Sequence, residues 1–125
     1  PALERQLLER FVAVMAGGDT TAVVELLHED VVLLSDGGGK VAAATRPLHG
    51  SRAASRFLSG IAARRHGHAS GRLVKVNGSW GGLAFIDGAL DSIFCIRAND
   101  EQITGIYVLR NPDKMATLDL AASRS

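Results

Sequence analysis

The feature that most constrains the fold of this chain is a change in the spacing of its apolar residues. As far as residue 64 they mostly recur every three or four positions, as on one face of a helix. From residue 70 onwards they alternate with polar residues, as in β-strands. A chain that places helices first and strands afterwards predicts an α+β fold, with the helices packed on one face of an antiparallel sheet.

Three helices are predicted in the first half of the chain. The first has an apolar face that includes Leu7 and Phe11, and it ends at the Gly-Gly pair at 17–18. The second follows Asp19, a residue type that caps helix N-termini. The third is predicted over about Ser51 to Arg64, where apolar residues again recur at helical spacing.

Two short strands are predicted between the second and third helices. The segment "VVLLS" at 31–35 is apolar and begins with two β-branched residues, which favours a strand. A second, shorter strand is predicted from Lys40 to Thr45, and Pro47 ends it.

The second half of the chain predicts a meander of four antiparallel strands, over about residues 70–76, 79–87, 90–97 and 102–110. Asn-Gly at 77–78 and Asp-Gly at 87–88 are strong signals for tight hairpin turns. A curved sheet with helices across its mouth forms a cone-shaped cup, and ligands bind in such concavities. We predict one domain over residues 1–125, with 111–125 as its C-terminal tail.

Charge and cysteine content exclude several functional classes. Fourteen basic and thirteen acidic residues leave a net charge of +1, which gives no general affinity for nucleic acid or for an acidic membrane surface. The single cysteine, Cys95, excludes an internal disulfide and fits a reducing compartment. No apolar stretch approaches the ~20 residues that span a bilayer. We therefore predict a cytoplasmic protein without a direct nucleic-acid or membrane partner.

The segment "SDGGGKV" at 35–41 places an acid, three glycines and a lysine between two apolar runs. A phosphate-binding loop would continue into a helix, whereas a short strand is predicted here. A hairpin turn requires only one or two glycines, and a third lets another surface approach the backbone closely. We favour a contact surface flanked by Asp36 and Lys40, and a plain hairpin is the alternative.

Acid–base catalysis in the cup would need a carboxylate base and a donor for a developing oxyanion. Asp30, Asp87 and Asp91 lie nearest the predicted strands, and Tyr107 is the single tyrosine. Asp87 fits a turn and Asp91 fits the rim of the cup, which leaves Asp30 and Tyr107 as the catalytic candidates. Asp30 can equally end the preceding helix, and a buried tyrosine usually only satisfies its hydroxyl.

Four residues are candidates for contact with a ligand in the cup: His49 at its entrance, and Trp80, Phe94 and Tyr107 on the strands. Core packing is the alternative for the aromatic residues, and an outward-facing aromatic side of the sheet would suit a homodimer. The pattern "HGH" at 66–68 supplies two metal ligands without a nearby third. No metal site and no cofactor are therefore predicted.

The order of predicted elements resembles that of the SnoaL-like, or nuclear transport factor 2-like (NTF2-like), superfamily over nearly the whole chain. The resemblance implies a cone in which three N-terminal helices pack on a curved antiparallel β-sheet. Members of the superfamily include ketosteroid isomerases, polyketide cyclases and non-enzymatic binding or regulatory domains. The fold alone therefore does not decide the function.

Four local motifs resemble a narrower group. "SDGGGKV" at 35–41, "RPLHG" at 46–50, "RFLSGI" at 56–61 and "NPDKM" at 111–115 are similar to the C-terminal extension of a subgroup of extracytoplasmic-function sigma factors. By its residue types alone, the last segment would be a strand end and a type I turn. No sigma regions and no helix-turn-helix are found in these residues.

The resemblance implies a built-in regulator that packs against the sigma-factor core regions and modulates their engagement of promoter DNA and RNA polymerase. It implies interface roles for Asp36, Gly37, Gly38, Gly39, Lys40, Asn111, Pro112, Asp113 and Lys114.

Three functional hypotheses follow. The first is a non-catalytic regulatory domain that acts by protein–protein contact, with a small apolar ligand in the cup as a further input. The second is a stand-alone ketosteroid isomerase-like or polyketide cyclase-like enzyme, or a small-molecule-binding protein. The third is a homodimeric binding domain that pairs through its sheet. A carboxylate inside the cup, within reach of a substrate carbon acid, would favour the enzyme.

Overall fold

The computed structural model describes residues 2–17, 20–37, 46–64, 67–76 and 79–110. In these ranges the helical elements come first and the long strands of the meander last, as the change in apolar spacing predicts. The elements are α1 (Ala2–Gly17), a 3-10 turn (Thr20–Ala22), α2 (Val23–Leu26), β1 (Leu27–Asp36), β2 (Leu48–His49), α3 (Ser51–Arg64), β3 (Ala69–Val76), β4 (Ser79–Ile86), β5 (Ala89–Ala98) and β6 (Ile103–Leu109).

The six strands form one sheet in the order β2-β1-β6-β5-β4-β3. The prediction of an α+β fold with helices packed on a sheet is confirmed. The sheet is mixed rather than wholly antiparallel, because β1 runs parallel to β6 while every other pair is antiparallel. A parallel pair requires a long crossover connection, and α3 together with the β3–β5 strands supplies it here.

The third helix and the strands of the meander are confirmed closely. Helix α3 has the predicted bounds, and β3 to β6 each begin and end within about one residue of the predicted strands. The turn between β4 and β5 is also confirmed, since Asp87 has φ 51° and Gly88 has φ 82°. Two positive φ values in succession are typical of a type I′ hairpin turn.

The segment between α1 and α3 differs from the prediction. The helix expected after Asp19 is reduced to a 3-10 turn and the four residues of α2, and β1 then begins at Leu27. The β-branched pair Val23-Val24 has a slightly lowered helix propensity, in keeping with the short length of α2. The strand predicted over residues 40–45 and the turn at 77–78 lie outside the described residues. A short strand, β2, does form after Pro47 and pairs with β1.

The main core lies between the helices and one face of the sheet, which we call the inner face. Helix α1 buries Leu7, Leu8, Phe11 and Met15. This spacing repeats along one side of the helix and explains why that side packs on the sheet. The Phe11 ring meets the ring of Phe94 on β5 edge to face, with centroids 5.3 Å apart.

A second, smaller apolar cluster lies on the opposite, outer face of the sheet. Its buried members are Val74, Leu83, Ile93 and Leu109, one from each strand of the meander. Successive side chains of a strand point to opposite faces, so Ile93 lies on the outer face while the next residue, Phe94, lies in the main core.

Candidate ligand cavity and motif edge

A cavity of about 360 Å³ lies between α1, the C-terminal part of α3 and the inner face of β3, β4 and β5. Its size is near the lower end of the range of about 300–1,000 Å³ typical of small-molecule sites. Most of its lining residues are apolar. They include Phe11, Met15, Ile61, Ile86 and Phe94.

Two glycines bring α1 close to the sheet beside this cavity. Gly71 on β3 and Gly82 on β4 both leave space that the Val12 side chain fills. A Cβ added at Gly82 would lie 2.7 Å from Val12 Cγ2, which is closer than two carbon atoms can approach without a shift. The absence of a Cβ at these positions therefore sets how closely the helix can approach this part of the sheet.

A bulge in β5 creates the polar end of the cavity. Ala84 pairs with Ser92 and Phe85 pairs with Leu90, so Asp91 is an extra residue in the β4–β5 register. Bulges redirect side chains locally. Asp91 and Ser92 both line the cavity as a result, although consecutive residues of a regular strand would face opposite sides.

One ion pair lies at this end of the cavity. Arg110 Nη2 lies 3.7 Å from Asp91 Oδ1, and the two side chains are 16% and 31% exposed. Asp91 and Arg110 are the only charged residues among the described lining residues. Ser92 is 1% exposed, and its Oγ has no hydrogen-bond partner among the described residues. The cavity therefore combines an apolar wall with one polar end, which carries one positive and one negative charge.

At the same end of the sheet, the first motif contacts the residue that precedes the second motif in the chain. Because β1 and β6 are parallel neighbours, Asp36 and Leu109 are register partners at their ends. The Arg110 backbone N–H donates to the Asp36 carbonyl at 2.7 Å. We call Asp36, Gly37 and Arg110 the motif edge. The remaining motif residues, at 38–40 and 111–114, lie outside the described residues.

The two catalytic candidates from the sequence do not lie in the cavity. Asp30 is exposed near the start of β1, where its backbone N–H donates to His28 Nδ1 at 3.0 Å. Tyr107 lies on the outer face of β6 and is 37% exposed, with Leu34 as its register partner. Neither residue is among the described residues that line the cavity.

Of the four candidates for ligand contact, one lines the cavity and three lie elsewhere. Phe94 lines the cavity. His49 is exposed on β2, which lies at the far edge of the sheet from β3. Trp80 is half-buried against α1, where the Arg5 guanidinium carbon lies 4.9 Å from the ring centroid. Tyr107 lies on the outer face of the sheet. Like His49 and Trp80, it is therefore outside the cavity.

The residues that sequence reasoning missed are Ser92 and Arg110, and it placed Asp91 only at the rim. No local signal marks a single-residue bulge, so the sequence could not show that Asp91 and Ser92 face the same cavity. The alternation of β6 does offer a signal for Arg110, because Val108, two residues earlier, lies in the main core. Residues two positions apart in a strand point to the same face, so Arg110 is expected on the inner face like Val108.

Other reactive groups offer little chemistry. Burial raises the pKa of the Cys95 thiol, which keeps it protonated and poorly nucleophilic near neutral pH. In the ranges that the structure describes, no three His, Cys, Asp or Glu side chains cluster as metal ligands would. None of the described helices is long and apolar enough to cross a membrane.

Solved structures with this architecture identify its class. A steroid Δ-isomerase from Pseudomonas aeruginosa superposes with a TM-score of 0.66 at 20% identity, covering 91% of this chain and 83% of that chain. An NTF2-like protein of unknown function from Mesorhizobium loti superposes with a TM-score of 0.62 at 19% identity, covering 86% and 90%. The chain thus has the NTF2-like, or SnoaL-like, fold. No family model matches it.

A sigma factor gives a likeness in sequence as well as in structure. The chain is homologous to the extracytoplasmic-function RNA polymerase sigma factor SigJ of Mycobacterium tuberculosis, with 33% identity over 96% of this chain. The crystal structure of SigJ superposes with a TM-score of 0.68, at 29% identity, covering 96% of this chain and 47% of that chain. The chain spans only 41% of the length of SigJ.

Proposed function

We propose that this chain is a non-catalytic regulatory domain that acts on transcription initiation by contacting sigma-factor core regions and, through them, RNA polymerase. The observation that carries the proposal is the motif edge. One backbone hydrogen bond, from Arg110 to Asp36, joins the first motif to the residue that precedes the second motif in the chain. The relationship to SigJ supports the choice of partner.

The motif edge is suited to protein contact. Gly37 is buried and Asp36 is half-buried, so the first residues of the glycine motif are packed into the domain. The glycines that follow let a second backbone approach closely. The even charge of the chain favours a protein partner over direct contact with nucleic acid. This role places the domain in the cytoplasm, and the cavity offers the regulator a separate ligand site.

Replacing Asp36 by alanine is expected to weaken binding of the domain to the remainder of its own protein by at least about tenfold, because a charged interface group is lost. The measurement is an NMR titration of the labelled 125-residue domain with the remaining part of the protein encoded by its gene. Asp100→Ala is the matched control, because Asp100 is exposed in the β5–β6 turn at the opposite end of β6.

Two results would contradict this proposal. In one, the wild-type domain does not bind the remainder of its protein, or no such remainder is encoded. In the other, Asp36→Ala and Asp100→Ala weaken binding equally, which would leave the motif edge without a specific role.

An acid–base enzyme is the second candidate, and the position of Asp91 favours it. This carboxylate lines the cavity, as catalysis on an apolar ring substrate would require. If the domain were such an enzyme, Asp91→Asn should lower turnover of a β,γ-unsaturated ketosteroid by about 10²–10⁴-fold. The assay follows the ultraviolet absorption of the conjugated ketone product. Wild-type protein without turnover would exclude this ketosteroid isomerase activity.

A further inference from the structure

We propose that the open edge of β3 binds an extended acidic segment of a partner protein, which adds to the sheet as a further strand. The segment recognised here has two acidic residues separated by two apolar residues. This surface is separate from the motif edge, so the inference goes beyond the proposed function. It is tested with peptides alone and can fail or succeed without the sigma-factor regions.

The first observation is that β3 lies at the side of the sheet. It is the last strand in the sheet order, and β4 is its only strand partner among the described residues. It is eight residues long and contains no proline. Ser70, Gly71, Arg72 and Lys75 are exposed along it. A strand of this kind presents backbone groups to which another chain can add.

The register shows which backbone groups of β3 point outward. The Asp87 N–H donates to the His68 carbonyl at 2.8 Å, and these two residues continue the β3–β4 register. Hydrogen-bonded and non-hydrogen-bonded residue pairs alternate along an antiparallel ladder. The even-numbered residues of β3 therefore bond to β4. The odd-numbered residues, which include Gly71, Leu73 and Lys75, direct their N–H and C=O groups to the open side.

The charge of this part of the sheet favours an acidic partner. Residues 69–86 contain two cations, Arg72 and Lys75, and no acidic residue. The nearest acid after β4 is Asp87, whose carboxylate already accepts a hydrogen bond from the His68 N–H at 2.8 Å. An acidic strand would therefore bring negative charge to an edge where β3 and β4 supply only positive charge.

The two cations lie beside the open edge and do not cover it. The Arg72 guanidinium carbon is 5.5 Å from the ring centroid of Phe85, and the Lys75 Nζ is 5.4 Å from that of Trp80. Both rings belong to β4, on the side of β3 away from the open edge. The charged groups thus lean toward β4, and the outward backbone groups of β3 stay accessible.

The alternation of side chains fixes the pattern expected of the segment. Arg72 and Lys75 are three positions apart and therefore lie on opposite faces of β3, with Leu73 and Val74 between them. Directly opposed residues of neighbouring strands interact, and opposite charges stabilise the pair. An acid–apolar–apolar–acid segment places one acid opposite each cation. The pattern is the same in both chain directions.

The test is an NMR titration of the isotope-labelled 125-residue chain with the capped peptide Ser-Thr-Glu-Val-Val-Glu-Thr-Ser at low salt. One control peptide has lysine at both glutamate positions. A second keeps the glutamates but has both valines N-methylated, so that it cannot donate to the ladder. The acidic peptide is expected to bind at least about fivefold more tightly than either control, and added salt should weaken it.

Amide hydrogen exchange provides a readout that nonspecific charge attraction would not change. At a peptide concentration about ten times its Kd, exchange should slow about tenfold at Gly71 and Leu73, whose N–H groups point to the open side. Exchange at Arg72 and Val74 should change much less, because their N–H groups bond to β4 with or without the peptide.

Reversal of the two charges tests their role in recognition. Arg72→Glu/Lys75→Glu is expected to bind the lysine peptide more tightly than the glutamate peptide, a gain that an unfolded domain could not show. Arg52→Glu/Arg97→Glu is the matched control. It changes the net charge equally at exposed positions of α3 and β5, and it should keep the preference for the acidic peptide.

Four results would overturn the proposal. The acidic peptide does not bind, or binds no more tightly than the controls, as expected if Arg72 and Lys75 serve only to prevent strand pairing. Exchange slows equally at odd and even positions of β3. Charge reversal leaves the preference unchanged. Gly71 and Leu73 are already protected without peptide, to a degree that rises with protein concentration, which would assign the edge to a second copy of the chain.

Discussion

Replacing Phe11 with alanine is expected to lower the free energy of unfolding by about 3–5 kcal/mol. Phe11 is 0% exposed and contacts Phe94 edge to face. The substitution removes a fully buried ring and leaves a void beside a cavity that already exists, so the surrounding side chains have little to collapse onto. Domains of this size are typically stable by only about 5–15 kcal/mol, and the loss should be evident as a lower urea midpoint.

Phe85→Ala is the matched control for this substitution. Phe85 lies half-buried against the outer cluster, under the Arg72 guanidinium at 5.5 Å from the ring centroid. Because part of the ring already contacts water, its removal should destabilise the domain clearly less than the removal of Phe11. Equal losses at the two positions would contradict the view that α1 and the inner face contain the main core.

The second large effect is expected at Gly82. Gly82→Ala should destabilise the domain by about 1–3 kcal/mol, because its Cβ would overlap the side chain of Val12. Valine is β-branched and has few accessible rotamers, so Val12 cannot turn away freely and α1 must shift. The measurement is chemical denaturation of the single variants and of the double variant Gly82→Ala/Val12→Ala.

The double variant tests the cause of the loss. If the overlap with Val12 is responsible, the Gly82→Ala substitution should cost less in the Val12→Ala background than in the wild type. Gly105→Ala on β6 is the control, since an added Cβ there would meet Arg97 Cβ at an ordinary 3.6 Å. Additive effects of the two substitutions would show that Val12 does not limit the approach of α1 to the sheet.

The parts of the fold that follow from local pattern were predicted well. Helix α3 and the meander depend on apolar periodicity and on turn residues such as Asp87 and Gly88, which act over a few positions. The parallel pairing of β1 with β6 could not be predicted in this way. It joins strands that are far apart in the chain, and no residue in either strand specifies its partner.

The candidate site was less predictable than the fold. The sequence pointed to Tyr107 because it lies among apolar residues, yet Tyr107 is on the outer face and Phe94 is on the inner one. Tyr107 alternates with Ile103 and Leu109 in the sequence, which indicates an apolar face, but Leu109 belongs to the outer cluster. The bulge at Asp91 then changes which residues of β5 face the cavity, and a strict alternation of side chains cannot anticipate such a change.

The parallel pair also has a consequence for the order in which the domain folds. Strands β3 to β6 follow one another in the chain and in the sheet, so they can pair early at little entropic cost, whereas β1 must close a loop of about seventy residues to reach β6. We expect β1 to dock late. The hydrogen bond between Arg110 and Asp36 would then form only after nearly the whole chain is in place. A partially folded or truncated chain would lack this hydrogen bond, so a binding partner that needs it would select the completely folded domain.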